Sequence, residues 1–311
     1  MVDLRFTAST HGFNHTGDFD GMMAFVRTAD ELGYDTLRLA DHVTLVDIGK
    51  HPEVQSPYTV KSQIREIFVL LGYLAGCTRR ITLATGVLAL PQRQTALVAK
   101  QAAEIDLLAK GRFQLGVGLG YNAVEFATMN ADFHDRAVRF EEQIDVLRAF
   151  WTQDIVDFAG QFHTLEHVNI NPRPVQQPIP IWFGTGNLDQ PMPSDRILRR
   201  IGRLADGWLP LFALDASLKP NPSAIAAIDR VNAYARAAGR TVDRLPLELC
   251  IWPGGRSKMQ VADQIKMLRD MGASDIHAQF SSSAPDDLET KQANFQIDSL
   301  KRFREAIDLL A

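Results

Sequence analysis

The chain has 311 residues, a formal net charge of -4 and 23% charged residues, which is ordinary for a globular enzyme and lacks the basic excess of nucleic-acid-binding proteins. No apolar run reaches membrane-spanning length, and the first residues lack the apolar core of a signal peptide. Cys77 and Cys250 show no metal-ligand spacing. We therefore expect a cytoplasmic protein with buried, reduced thiols that binds neither nucleic acid nor a membrane.

A recurring unit organises the chain: an amphipathic helix, a glycine and a short alternating strand. Clear examples contain Gly33, Gly111 and Gly272, and glycine just past a helix adopts the left-handed conformation at little cost. Such alternation favours one parallel sheet with helices outside, and 311 residues hold eight units. We predict an α/β fold: a (β/α)8 TIM barrel forming a single domain, 1–311, with an insertion at about 152–178 between helix four and strand five.

The predicted elements follow one another in regular order. Strands are predicted at about 2–7, 35–40, 81–87, 112–117, 179–183, 206–211, 245–252 and 274–280. Helices are predicted at about 18–32, 64–75, 95–109, 136–151, 194–204, 223–238, 259–271 and 291–310. A polar loop runs from His42 to about Val60, and loops of this length are usually functional or disordered.

Catalytic side chains of barrels lie at the carboxyl ends of the strands, so residues there are the candidates. Asp41 and His42 follow strand two. The carboxylate of Asp41 can orient an imidazole or bind an N–H group of a ligand, and we predict that Asp41 contacts the cofactor. The imidazole of His42 can act as acid or base, and the alternative is a solvated loop pair. Thr85, Gly86 and Val87 end strand three, where a glycine indicates either a bulge beside a flat ligand or a simple kink at the rim.

Glycines also follow strands four and five. The segment Gly116–Gly120 lacks the G-x-G-x-x-G spacing of a dinucleotide fingerprint, and its glycines suit backbone lying against a planar ring, with Tyr121 stacking or donating a proton. The segment Gly184-Thr185-Gly186 has free donors for an anion. Arg196, Arg199 and Arg200 either add charge there or face solvent on their helix.

The remaining polar residues give weaker signals. His11 follows strand one and can face the cavity, but His11 and His15 have no third ligand, so we expect no metal site. The sequence contains neither a G-x-S-x-G motif nor a Cys/His nucleophile signature.

Taken in order, several segments resemble the bacterial luciferase-like flavin and deazaflavin oxidoreductases. They span about Asp35–Leu211, and the ordered set is specific to this family although no single segment is. The matching segments are Leu39–Val43, Ala84–Arg93, Ala99–Phe113, Gly116–Tyr121 with Glu125, Arg139 with Glu142, Leu147–Trp151, Pro172–Pro174, Pro180–Gly184 and Leu198–Arg200 with Ala205–Trp208.

The resemblance implies a barrel, usually a homodimer, that binds its cofactor at the carboxyl ends of the strands. It makes His42 the acid/base or substrate-facing group and places a non-proline cis peptide between Gly86 and Val87 behind the isoalloxazine. By the same resemblance, Gly118, Leu119, Gly120 and the segment 184–186 hold the ribityl and phosphate groups.

Two residues depart from the family pattern. Tyr121 stands where many members have Trp and sugar-phosphate-oxidising members have Glu, which argues against a glucose-6-phosphate-type substrate. Thr185 interrupts the commoner Gly-Gly after strand five.

The resemblance implies an oxidoreductase that moves a hydride between coenzyme F420 and a small organic substrate, with His42 supplying or accepting the substrate proton. The alternative is an FMN-dependent monooxygenase that uses O2 and receives reduced flavin from a partner reductase. A third hypothesis is a non-catalytic barrel that serves as a binding protein.

Overall fold

The computed structural model describes residues 4–186, 192–211, 221–241, 243–280, 289 and 292–310. Its strands and helices alternate around a nearly closed barrel of eight parallel strands, as the sequence pattern predicts. The strands are β1 (Arg5–Ser9), β2 (Thr36–Leu39), β3 (Thr82–Thr85), β4 (Leu88–Ala89), β5 (Phe113–Gly118), β6 (Val156–Ala159), β7 (Thr164–Val168), β8 (Ile181–Thr185), β9 (Gly207–Pro210), β10 (Glu248–Ile251) and β11 (Asp275–Ala278).

Helices connect the strands along the outside of the barrel. They are α1 (Phe13–Thr16), α2 (Phe19–Glu31), α3 (Ile67–Cys77), α4 (Thr95–Leu108), α5 (Ala123–Thr128), α6 (Arg136–Thr152), α7 (Asp195–Leu204), α8 (Pro222–Ala237), α9 (Lys258–Asp270) and α10 (Ala293–Ile307). Within the described residues, no helix has the length and apolar character needed to cross a bilayer.

The order of the barrel strands is β10, β11, β1, β2, β3, β5, β8 and β9, with every neighbouring pair parallel. A parallel bridge between Trp208 and Leu247 brings β9 beside the start of β10. Because all eight strands run in the same direction, the loops that follow them meet at one edge of the barrel, where we expect the site.

The turn glycines of the recurring unit have the predicted conformation. The φ angles of Gly33, Gly111 and Gly272 are 78°, 80° and 102°, which side chains rarely allow. The two cysteines are free, as expected, but both are only partly buried. Two predicted boundaries, Val2 and Lys291, lie outside the described residues.

The structure corrects the predicted elements in three places. Strand three is interrupted after Thr85 by a cis peptide between Gly86 and Val87 and resumes as β4, which pairs with β5. The insertion, whose glycines and prolines predict irregular structure, contains an antiparallel hairpin formed by β6 and β7. The short helices α1 and α5 have no counterpart in the prediction, since one or two turns contain too few residues to show helical periodicity.

A buried polar network crosses the interior of the barrel. The guanidinium of Arg38 on β2 donates hydrogen bonds to Oε2 of Glu248 on β10 at 2.7 Å, to Oε1 of Gln114 on β5 at 3.1 Å and to the carbonyl of Thr85 at 3.1 Å. The hydroxyl of Thr7 on β1 also donates to Oε2 of Glu248 at 2.7 Å. Burial alone would raise the pKa of Glu248, but the charges of Arg38 and His277 and the hydrogen bonds from Arg38 and Thr7 together outweigh burial and hold that pKa below its usual value.

His277 on β11 adjoins this network and makes folding sensitive to acid. Burial, reinforced by the charge of Arg38 and opposed by Glu248, lowers the pKa of His277 to about 4. Between pH 6.5, the ordinary pKa of histidine, and about pH 4, His277 is therefore protonated in the unfolded chain but neutral in the folded chain. From pH 6.5 down to about 4, His277 should reduce the free energy of unfolding by up to about 1.4 kcal/mol per pH unit.

We expect the variant His277→Gln to lose less stability than the wild type over this pH window, in urea unfolding at matched pH values. The exposed pair of His51 and Glu53 offers a control, and His51→Gln should keep the wild-type pH dependence. An identical slope in His277→Gln and wild type would contradict the prediction.

Candidate active site

The centre of the candidate site is His42, three residues beyond the end of β2. Its Nδ1 lies 2.9 Å from Oε2 of Glu125 on α5, and the His42 side chain is 13% exposed while that of Glu125 is 2% exposed. The other oxygen of Glu125 accepts hydrogen bonds from the backbone N–H groups of Val43 at 2.7 Å and Thr44 at 3.3 Å. Glu125 therefore joins α5 to the loop that carries His42.

Asp41 pairs with Arg93. Its carboxylate accepts hydrogen bonds from Nη2 of Arg93 at 2.8 and 3.1 Å. Burial raises the pKa of Asp41 against the opposing effect of Arg93. Asp41 thus binds Arg93 rather than the imidazole, and its predicted role in cofactor binding stays a prediction.

Tyr121, which follows β5, approaches the other nitrogen of the imidazole. Its hydroxyl lies 3.4 Å from Nε2 of His42 and donates a hydrogen bond to Oγ of Ser56 at 3.0 Å. Burial raises the pKa of Tyr121, although the residue is 44% exposed. The structure thus brings together the two residues predicted to be catalytic, with a carboxylate at one nitrogen of the imidazole and a phenol near the other.

The long polar loop after β2 contributes directly to this environment. Ser56 and Tyr58 both belong to it, and the Tyr58 ring packs edge-on against His42 with the ring centroids 5.4 Å apart. Burial raises the pKa of Tyr58 to about 12, so this hydroxyl stays protonated at neutral pH. The loop is therefore part of the candidate site, which is one of the two interpretations of its length.

The backbone at the end of β3 lies beside this cluster. Because Leu39 pairs with Thr85, and the N–H of Gly86 donates to the carbonyl of Leu39 at 2.7 Å, the cis peptide of Gly86 and Val87 shares one edge with the residues after β2. The resemblance predicted this cis peptide at the same bond. The hydroxyl of Thr85 is fully buried and donates to the carbonyl of Gly116 at 2.6 Å, so its interaction is with protein.

The glycines of neighbouring strands make room for Val87. A Cβ placed on Gly118 would lie 2.9 Å from the Val87 side chain, and one placed on Gly184 would lie 2.7 Å from it. A Cβ on Gly116 would lie 2.1 Å from the carbonyl oxygen of Thr85. These glycines are therefore required by contacts within the protein itself, whatever ligand they also approach.

The remaining predicted cofactor contacts lie at the same ends of β5 and β8. Leu119 is partly buried against the core, and Gly120 has a φ of 74°. Gly184 and Thr185 are partly exposed and Gly186 is exposed, while the hydroxyl of Thr185 accepts a hydrogen bond from the indole of Trp208 at 2.7 Å. Cofactor binding by these residues stays a prediction.

The arginines of α7 have different surroundings. Arg200 is buried and pairs with Glu141 of α6 at 2.8 Å, whereas Arg199 lies 3.7 Å from Asp195 on its own helix. These contacts favour the structural interpretation for both residues over a role in binding an anion.

His11 lies at the end of β1, next to the buried network. Burial and the neighbouring His277 lower the pKa of His11 to about 3, and the two rings are 6.1 Å apart. Its Nδ1 is buried and has no hydrogen-bond partner among the described residues. A neutral imidazole with an unused nitrogen suits a polar ligand, and the predicted place of His11 in the substrate pocket stays a prediction. Within the described ranges, no three His, Cys, Asp or Glu side chains form a group that could hold a metal ion.

Sequence reasoning did not assign roles to Glu125, Ser56, Tyr58 or Arg38. Glu125 stands in a matching segment, but α5 is too short to show which way the carboxylate points. Arg38 carries a signal that could have been used: a charged residue between Leu37 and Leu39 in a strand covered on both faces must have a buried partner.

Comparison with known proteins identifies the family. The family model described as luciferase-like monooxygenase matches residues 4–274. The chain belongs to the luciferase-like monooxygenase family. One relative is the F420-dependent glucose-6-phosphate dehydrogenase of Amycolatopsis mediterranei. It is 28% identical to this chain over 213 residues, which cover 67% of this chain and 57% of that protein.

Two solved structures share the luciferase-like fold along the full chain. The monooxygenase RslO1 from Streptomyces bottropensis has a TM-score of 0.74 at 18% identity, covering 99% of this chain and 100% of that one. An F420-dependent secondary alcohol dehydrogenase in complex with an F420-acetone adduct has a TM-score of 0.73 at 16% identity, covering 99% of both chains. Luciferase-like proteins of different redox chemistry therefore have this architecture.

Proposed function

We propose that this luciferase-like oxidoreductase binds coenzyme F420 and transfers a hydride between the coenzyme and a small organic substrate. The observation that carries the proposal is the position of His42: a largely buried imidazole, 13% exposed and held by Glu125, at the same barrel edge as the Gly86 and Val87 backbone. Hydride transfer to or from a carbon that bears oxygen requires two things: a surface that binds the planar ring of the cofactor, and an acid–base group beside it that exchanges the proton of the oxygen.

The residues present fit a flat tricyclic cofactor. Gly86 and Val87 are partly exposed, β5 ends at Gly118, and Gly184 is the penultimate residue of β8. No large side chain projects from the two glycines of the adjoining strands. Gly86, Val87 and the segments 118–120 and 184–186 would hold the cofactor. The buried Nδ1 of His11, which lacks a partner among the described residues, would offer a further polar contact to the ligand.

When bound, the deazaflavin supplies the carbon that accepts or donates the hydride. His42 accepts the proton that leaves the substrate oxygen during oxidation, or donates it during reduction, and its Nε2 is the nitrogen available for this because Nδ1 faces Glu125. Tyr121 and Tyr58 contact the imidazole from two further sides and limit the positions in which a substrate can reach Nε2.

The second candidate is an FMN-dependent monooxygenase, in which reduced FMN comes from a partner reductase and O2 is the co-substrate. The family description and the likeness to RslO1 favour it. The relative named as an F420-dependent dehydrogenase and the structural neighbour with an F420-acetone adduct support the first candidate. In both cases we also propose a cytoplasmic homodimer.

The deciding experiment is side-by-side titration of the purified protein with oxidised F420 and with FMN, followed by fluorescence. We expect tight binding of F420 and weak binding of FMN. Tight binding of FMN with substrate-dependent O2 uptake would support the monooxygenase instead, and binding of neither would favour a non-catalytic barrel. A screen of small alcohols and ketones, starting with propan-2-ol and acetone, then follows F420 reduction or oxidation by absorbance.

A further inference from the structure

We infer that Glu125 is a positioning residue that fixes the tautomer of His42, with the proton on Nδ1 and the lone pair of Nε2 directed to the site. The part of this inference that concerns catalysis rests on the proposed function. The part that concerns the tautomer rests on the hydrogen bonds around Glu125 alone.

Glu125 is held through its backbone on the helix side and through its carboxylate on the loop side. Asn122 caps α5 by accepting hydrogen bonds from the N–H groups of Val124 at 3.1 Å and Glu125 at 3.2 Å. Oε1 of Glu125 accepts two backbone N–H groups from the loop, which leaves Oε2 for the imidazole. Both oxygens therefore have defined partners, and the side chain is almost completely enclosed.

Glu125 is ionised in this environment. Burial by itself would raise the pKa of Glu125, but the hydrogen bonds from His42 and from the two backbone N–H groups outweigh it and lower that pKa below its usual value. An ionised carboxylate can only accept hydrogen bonds, so the contact of 2.9 Å requires a proton on Nδ1. In the neutral imidazole, Nε2 then carries the lone pair.

The groups near Nε2 leave this lone pair available. The hydroxyl of Tyr121 lies 3.4 Å away but donates its single proton to Ser56. Asp41, the acid adjacent in sequence, binds Arg93 instead of the ring. Of the two acids beside His42, Glu125 alone contacts the imidazole, so the choice of tautomer depends on it.

The variant Glu125→Gln provides a sharp test because its amide oxygen can accept the same backbone hydrogen bonds from the loop as the carboxylate does. Its oxygen would keep the two N–H groups of Val43 and Thr44, and its NH2 group would face the ring. Nδ1 of His42 would then have to accept a hydrogen bond, so the proton would move to Nε2 and the lone pair facing the site would be lost.

The measurement is 15N NMR of histidine-labelled protein at mildly alkaline pH, with the His42 signals identified among the eight histidines by their loss in His42→Asn. We expect a protonated Nδ1 and an unprotonated Nε2 in the wild type, and the inverted pattern in Glu125→Gln. The protein without cofactor suffices for this readout. A wild type with its proton on Nε2, or no inversion in Glu125→Gln, would overturn the inference, and the wild-type spectrum decides even if the variant does not fold.

A matched control separates the tautomer from anchoring of the loop. Thr44 and Thr128 also join the loop to α5, through hydroxyls 2.9 Å apart, without touching His42. Thr128→Val should therefore keep the wild-type tautomer and turnover.

Kinetics then test the catalytic part. Glu125→Gln should reduce turnover, with the alcohol found in the screen, by about 10²-fold or more, in the range of general acid–base effects. The dissociation constant for F420 should not change, because Glu125 contacts His42 and the loop rather than the proposed cofactor surface. Inversion of the tautomer with unchanged turnover would overturn the acid–base role of His42 while leaving the positioning role of Glu125 intact.

Discussion

Replacing Arg38 with methionine is expected to lower the free energy of unfolding by about 3–5 kcal/mol, because it leaves the charge of Glu248 buried without its partner. The side chains of Arg38 and Glu248 are 4% and 3% exposed, so water cannot replace the lost contact. Gln114 and the carbonyl of Thr85 would also lose a donor. Urea unfolding of the two proteins at neutral pH measures the difference.

An exposed ion pair provides the control for this prediction. Arg304 and Asp308 form an i,i+4 pair at the surface of the last helix, and Arg304→Met should cost about 1 kcal/mol or less. In a double-mutant cycle, Arg38→Met combined with Glu248→Met should be less destabilising than the sum of the single changes. Additive effects would show that the two side chains do not stabilise each other.

Replacing His42 with asparagine is expected to reduce turnover by about 10²–10⁴-fold, the usual contribution of a positioned acid or base. The imidazole is the group at this edge that is held by a carboxylate on one side and accessible on the other. Affinity for F420 should be retained, because the predicted cofactor contacts belong to the ends of β3, β5 and β8. Steady-state kinetics and fluorescence titration measure the two quantities separately.

His51 provides a control within the same loop. It is exposed and contacts Glu53 rather than the candidate site, so His51→Asn should turn over at the wild-type rate. A His42→Asn protein that binds the cofactor and turns over normally would remove the catalytic role assigned to His42.

The sequence predicts the outer architecture well because helices and strands of a barrel have strong, regular periodicity. The helices of the repeating unit and the turns after them follow from apolar spacing and from glycines such as Gly33. The candidate catalytic pair is also accessible to sequence reasoning, since His42 and Tyr121 directly follow strands and strand ends share one edge.

The parts that escape prediction depend on contacts between residues far apart in sequence. Glu125 reaches His42 across 83 positions, and Arg38 reaches Glu248 across 210. Local propensity says nothing about such pairs. The loop residues Ser56 and Tyr58 contact the site through irregular backbone, for which no periodic pattern exists.

The close approach of Val87 to Gly118 and Gly184 limits the order in which this site can change during evolution or engineering. A methyl group at Gly184 would collide with Val87, 2.7 Å from its nearer methyl group, whereas after Val87→Ala the nearest atom of residue 87 would be its Cβ at 3.5 Å, an ordinary van der Waals contact. The three positions therefore form a linked set, in which the second substitution is acceptable only after the first. Libraries that vary these positions singly would discard combinations that are sterically sound, and a search for new cofactor or substrate preference at this edge has to vary them together.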